Sequence, residues 1–311
     1  MNRETAGFLA SLLFVVLASV RDVYLGGLFQ RLSPAVVALI AFTLCVAIFL
    51  PVALRRHPAS YRVVWRHPVD LLLINLTAGF AWISFFYALR MTEPLLVQIV
   101  FSGVGPPAVA WMARLFPAAD ESFAPRGERC LHGLLLAAVS MAVIVAVTGL
   151  SGAAAQPAAA SMLGVLLAAG AGVAITANTV LCRRLNDAGV DPAALVSVRF
   201  VGAAIGSAML ADLSGELPAL VATGAMVEVV AAAVLLVVLP IYVNQIGIAL
   251  ASPLTVRVVL ASAPAMIFVL QLAEGRLTSS PYSLAAAVAY GVVAIGAAVV
   301  RRRAIRAAVP A

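Results

Sequence analysis

At 311 residues the chain is 64% hydrophobic and 11% charged, with a mean hydropathy of +1.09. Soluble domains carry about a quarter charged residues, so these few charges exclude a water-soluble fold of this length. The formal net charge of +7 does not signal nucleic acid: the basic residues, all 20 of them arginine, are scattered over short connections with no basic face or recognition module.

Continuous apolar runs follow one another along the chain. Each approaches the roughly 20 residues that a helix needs to cross a bilayer, and none shows the period-two alternation of a barrel strand. Spanning helices are expected at 7–28, 34–54, 69–89, 94–115, 130–150, 161–182, 192–213, 228–249, 253–272 and 282–300. The first run is long enough to span and is followed by others, which argues against a cleaved leader. Most connections are short; Arg55–Pro68, Phe116–Arg129 and Leu213–Val227 are the longer ones.

Arginine prefers cytoplasmic connections. With the N-terminus inside, 14 arginines fall on inner segments and three, Arg31, Arg90 and Arg276, on outer ones; Arg21, Arg199 and Arg257 lie within helices. The expected protein is multi-pass, in the cell's inner membrane, with both termini cytoplasmic. Cys45, Cys130 and Cys182 have neither zinc-site nor redox-pair spacing and read as small apolar packing residues.

The two halves resemble each other. Pro34 and Pro192 precede matching segments 158 residues apart, Pro106 and Pro264 repeat that offset, and Pro94 and Pro253 are 159 apart. Residues 1–155 and 156–311 are therefore expected to be two five-helix repeats. An odd helix count inverts the second copy, which is the architecture of many secondary transporters. The fold class expected is an all-α membrane protein of ten transmembrane helices in two inverted repeats.

Four features carry a family resemblance: the five-plus-five layout, "ALRMTEPLLVQIVFSGVGPPAVAWMARLF", "PAALVSVRF" with Pro192 and Arg199–Phe200, and the closing helix pair around Glu274 and Gly275. With these the chain resembles the EamA-like type of the drug/metabolite transporter superfamily. Two departures stand out: Ala41–Phe42 occupies the place of the first repeat's Arg-Phe pair, and the Phe116–Arg129 connection is long and carries Asp120, Glu121 and Glu128. The resemblance implies an alternating-access exporter of small polar molecules. It leaves amino acids, sugars, nucleotide-sugars, cationic drugs and vitamins open as substrates.

Ionisable residues inside a membrane are costly and face a protein interior or a wet cavity. Arg21, Asp22, Arg199 and Arg257 are the first candidates for a substrate site, with an internal ion pair, or snorkelling by the last two, as the alternative reading. Three arginines against one aspartate leave excess positive charge, which a substrate carboxylate would balance in the planar fork of arginine. Asp22 would meet an ammonium group or carry a coupling proton. Gln98, the repeat counterpart of Arg257, joins Asn178 and Asn244 as polar lining, and Asn75, Gln245 and Gln271 add hydrogen-bonding capacity. Trp82 and Tyr242, 160 residues apart, are placed to wall the ligand from two sides; ordinary packing competes for each.

The expected function is secondary transport of amino acids or related carboxylates, with efflux of cationic drugs as the alternative. An enzyme is disfavoured, since His57, His67 and His132 lie near helix ends or in connections and no HExxH or GxSxG occurs. A selective pore would need an acidic or arginine ring, which is absent. Without lysine there is no phosphate-binding GxxxxGK[ST] loop. The expected partners are a small molecule and the lipid bilayer, with no cofactor and no metal.

Overall fold

The computed structural model describes residues 3–108, 126–153, 156–215, 224–251, 259–260, 262–278 and 280–308, and no strand occurs among them. The elements are α1 (Arg3–Leu28), α2 (Pro34–Arg56), α3 (Pro58–Arg66), α4 (Pro68–Met91), α5 (Pro94–Gly103) and α6 (Arg126–Val147). They continue with α7 (Ala158–Asp187), α8 (Pro192–Arg199), α9 (Val201–Leu213) and α10 (Met226–Ala232). A π-helical stretch (Ala233–Val238) leads into α11 (Leu239–Leu250), followed by α12 (Ala263–Glu274) and α13 (Pro281–Ala308).

Among the described residues, seven helices are long and apolar enough to cross a bilayer: Thr5–Leu28, Pro34–Arg56, Pro68–Met91, Cys130–Val147, Ala158–Asp187, Pro192–Leu213 and Met226–Gly247. Three shorter apolar helices, Pro94–Ala108, Ala263–Glu274 and Pro281–Ala297, fall where the fourth, ninth and tenth spans are expected. Outward faces are apolar as well. On α4, Leu72, Leu76 and Phe80, each four residues from the next, are 59%, 59% and 55% exposed. Such stripes are stable against lipid and not against water. The chain is an all-α membrane protein.

Proline starts most of these helices, where its missing N–H costs nothing and its fixed φ suits the first turn. Elsewhere it interrupts them. Pro240 cannot donate to a carbonyl four residues back, and the turns before it widen into the π-helical stretch. The expected helix 192–213 is broken at Phe200, whose φ −101° and ψ 1° leave the helical region and divide α8 from α9. The expected connection Arg55–Pro68 contains a helix, α3, started by Pro58; it buries Ser60 and Val64 and leaves Arg62, Trp65 and Arg66 exposed. The Phe116–Arg129 connection lies outside the described residues up to Arg126, as does Pro253.

Packing links the halves rather than separating them. The densest contacts are α4 with α7 and α1 with α11; α2 lies along α8 and α9, α6 along α13, α5 against α7 and α1 against α12. Association within lipid relies on close van der Waals approach, so small residues sit at the crossings. A Cβ on Gly172 of α7 would collide with the Phe101 carbonyl oxygen of α5, whereas one on Gly133 of α6 would meet nothing. Gly172→Ala is therefore expected to destabilise the folded protein by about 1–3 kcal/mol, and Gly133→Ala to be neutral or mildly stabilising. Thermal unfolding in detergent, followed by size exclusion, measures both.

Candidate functional site

The polar centre of the bundle is built from α1 outward. Arg21 and Asp22 are 4% and 1% exposed, about two turns before the end of their helix. The Arg21 Nε–H donates to Asp22 Oδ1 at 2.8 Å, and Nη2 stands 2.7 Å from the same oxygen. Burying one charge without the other would be far more costly than burying the pair. The guanidinium also lies over Trp82 (4.9 Å to the ring centroid) and Phe85 (5.5 Å), both on α4. Three buried donors or acceptors here have no hydrogen-bond partner among the described residues: Arg21 Nη1, Trp82 Nε1 and Ser19 Oγ. Two N–H groups without a partner among the described residues thus stand beside the ion pair and its aromatic wall.

The aromatic wall is continuous. Phe42 packs on Trp82 at 6.1 Å and stacks on Phe200 at 5.1 Å with ring planes 10° apart; Phe85 packs on Phe101 of α5 at 4.7 Å. On that side Gln98 donates to Ser102 Oγ at 3.0 Å and keeps a buried, unpaired Oε1. Arg199, 6% exposed, stands at the far end of the ring chain. Its guanidinium lies 4.5 Å from the Phe200 ring, Nη1–H donates to Cys182 Sγ at 3.6 Å, and Nε is unpaired. The arrangement joins Arg21, Asp22 and Trp82 in one cluster and puts Arg199 one aromatic stack away.

Other expected site residues sit elsewhere. Asn178 is fully engaged in holding α7 to α4: Nδ2 donates to the Ile74 carbonyl at 2.8 Å and Thr77 Oγ1 at 3.0 Å. Asn75 does the same for the broken helix, its Oδ1 accepting from the Gly202 N–H at 2.8 Å. That amide lies in the first turn of α9, where the break at Phe200 removes its helical partner. Tyr242 is 37% exposed and packs on Phe49 at 5.1 Å, so it and Trp82 meet different rings, two turns apart on α2. Asn244 is half-buried on α11. Arg257 lies outside the described residues.

Three acidic residues at helix starts have no role assigned from the sequence. Asp70 is 7% exposed and stands 3.5 Å from Arg184 Nη2 and 3.7 Å from His67 Nδ1. Glu228 accepts from Arg31 and Tyr24, each at 2.8 Å. Glu93 is 4% exposed; its Oε2 accepts from Ser283 Oγ–H at 2.7 Å and from the Gly152 N–H at 3.0 Å. Burial pushes its carboxyl above the ordinary carboxylate range, against the opposing pull of Ser283, Gly152 and Gln271. The available signal was the Thr-Glu-Pro corner, a two-residue junction between α4 and α5.

Among the described residues no three His, Cys, Asp or Glu side chains gather as metal ligands, and all three cysteines are free.

No family model matches the chain, and no curated protein matches it. The fold is similar to that of a solved chain described only as "Crystal structure of protein", with a TM-score of 0.61 and 20% identity over 97% of this chain and 98% of that one. At this identity the likeness shows the fold alone.

Asn178→Ala is expected to lower stability by about 1–2 kcal/mol through the lost α4–α7 hydrogen bonds. Tyr242→Ala, at a more exposed position, should change it by less. Thermal melts in one detergent compare the two.

Proposed function

We propose that this protein is a secondary transporter of the exporter type. In this reading ten helices form two inverted five-helix repeats that move amino acids or related carboxylates by alternating access. The observation that carries the reading is the buried Arg21–Asp22 pair with its free N–H groups. A zwitterionic substrate offers a carboxylate to Arg21 and Trp82 Nε1 and an ammonium to Asp22, so each buried group gains a partner of the right sign.

Several features support the architecture. Among the described residues, seven long and three shorter apolar helices match in number the ten crossings of this reading. The packing of α4 on α7 recurs when the halves are exchanged by the 158-residue offset, as that of α11 on α1. Phe42 and Phe200, stacked on each other, are themselves 158 residues apart, as expected for residues beside a pseudo-two-fold axis. Asp70 and Glu228 share that offset, and each meets an arginine of the other half. Cross-half polar ties also sort into two ends. His57, Ser60, Tyr61, Asp70 and Arg184 belong to one, and Arg31, Glu228, Glu93 and Ser283 to the other. That segregation follows if each helix crosses once.

The rival cargo, an organic cation, is disfavoured by Arg21 itself. Its guanidinium already occupies the faces of Trp82 and Phe85 that would cradle a cation.

Proteoliposomes assayed with panels of amino acids, organic acids and organic cations test the proposal. Arg21→Gln and Asp22→Asn should each cut amino-acid flux by about tenfold or more while leaving insertion intact. Flux confined to organic cations, or unchanged in both variants, would overturn the substrate class. Reporter fusions after Ala311 and within 151–160 should report opposite sides of the membrane; the same side for both would overturn the topology.

A further inference from the structure

Glu93 sits in a polar knot that the proposed substrate site does not use. The knot joins the α4–α5 corner, the 149–152 turn, the start of α13 and, through Gln271, α12. Ser283 Oγ–H and the Gly152 N–H both donate to Glu93 Oε2. Ser280 Oγ donates to the Leu150 carbonyl and accepts from the Ser283 N–H, and the Thr278 N–H donates to the Gly152 carbonyl. No cation reaches the carboxylate among the described residues. Glu274 and Arg276 pair with each other beside Gly27, and Arg90 makes no ion pair. Of the tyrosines on α13, Tyr282 is 52% exposed and Tyr290 faces Ser102. By contrast, Asp22 is locked to its own arginine. Of the two most buried carboxylates, Glu93 is the one free to change charge.

The surroundings offer partners to both protonation states. The charged form has two donors, Ser283 and Gly152, and Gln271 with its amide N–H turned inward pulls the same way. Gln271, 3% exposed, faces the same carboxyl and has both amide atoms without a hydrogen bond of good geometry. Its Oε1 is an acceptor, which a carboxylate cannot satisfy and a protonated carboxyl can.

We infer that Glu93 is a proton-binding site opening to the outer face, whose occupancy controls closure of that end of the transporter. A proton leaves hydronium in the outer water and forms an O–H bond on the Glu93 carboxyl, which then donates to Gln271 Oε1. The bonds from Ser283 and Gly152 lose their charge assistance and weaken. With them loosens the tie between the α4–α5 corner of one half and α13 of the other. Charged Glu93 holds the outer end shut; neutral Glu93 releases it. This rests on the transporter reading for its consequence, but the proton site itself does not.

Two measurements separate the two claims. Infrared titration of the purified protein, with protons as the sole ligand, should show a protonated-carboxyl band that is lost as pH rises, is absent in E93Q and persists in D22N. In S283A, with one donor to the charged form removed, its midpoint should move up by about one pH unit. In proteoliposomes exchanging an equimolar mixture of the twenty standard amino acids, lowering the external pH should raise wild-type flux, whereas E93Q should be fixed near the low-pH rate. A band unchanged in E93Q, or an E93Q flux that still follows external pH as the wild type does, overturns the inference. An intact, Glu93-dependent band in a protein that moves none of the mixture keeps the proton site and overturns the transporter reading.

Discussion

Hydrocarbon offers no hydrogen-bond partner, and every part of this structure answers to that constraint. Helices satisfy their own backbone, so trouble arises only where a helix stops or breaks. Those places are the ones furnished with polar side chains. Asn75 takes the Gly202 amide at the α8–α9 break, Asp191 caps the Ala193 amide at the start of α8, and Glu93 takes the Gly152 amide at a turn. Polar residues that look like a cavity lining in the sequence therefore divide into two groups. Some repair backbone, and the remainder keep a free donor or acceptor. Arg21, Trp82, Gln98 and Arg199 belong to the second group.

Charge follows the same economy. The described intramembrane ions are few, and the centre balances one arginine against the aspartate next to it in sequence. Adjacent residues on a helix point about 100° apart, so the pair requires the arginine to fold back along its own helix. Trp82 and Phe85 hold it there. The consequence is a short dipole at the bundle's centre in place of a lone charge, which makes a zwitterion a better complement than a simple anion or cation. Arg199 is the exception: a buried guanidinium with a thiol and a ring for company, at the end of α8, where helix carbonyls point toward it and favour positive charge.

Composition and run length sufficed for the all-α membrane class and for nearly every helix, because hydropathy is additive along the chain and needs no tertiary information. The pairing of Arg21 with Asp22 was legible because the two are neighbours in sequence. What failed was anything set by contacts across helices. Asn178 and Gln98 look alike as amides in apolar runs, yet one is fully bonded across a helix pair and the other keeps an unpaired oxygen. Tyr242 looks like Trp82's partner by offset, but α2 lies between them and gives each its own phenylalanine. Glu93 was hidden for the opposite reason. A carboxylate beside a helix-starting proline reads as a solvated end, and only the turn at Gly152 and the start of α13 close over it. The break at Phe200 leaves no proline or glycine signal at all.

In the proposed two-repeat architecture the halves share a packing plan and differ in chemistry, and that difference bears on the proposed mechanism. Counted by the 158-residue offset, Arg21 and Asp22 correspond to Thr179 and Val180, and Arg199 corresponds to Ala41. The scaffold repeats while the charges do not. If alternating access exchanges the conformations of two equivalent halves, a symmetric set of charges would serve either facing state equally. An asymmetric set biases one of them. Here the Arg21–Asp22 centre lies on the first half's α1, toward the end where Glu93 and Glu228 form their ties, and Arg199 lies on the second half, toward the end where α3 packs over α8 through Tyr61 and Ser197. In the proposed reading a zwitterion at the first centre would be bound by both its charges, whereas at the second only its carboxylate would find a partner. In the proposed mechanism the repeated scaffold favours neither direction, so the energetic difference between the two facing states would reside in these few side chains.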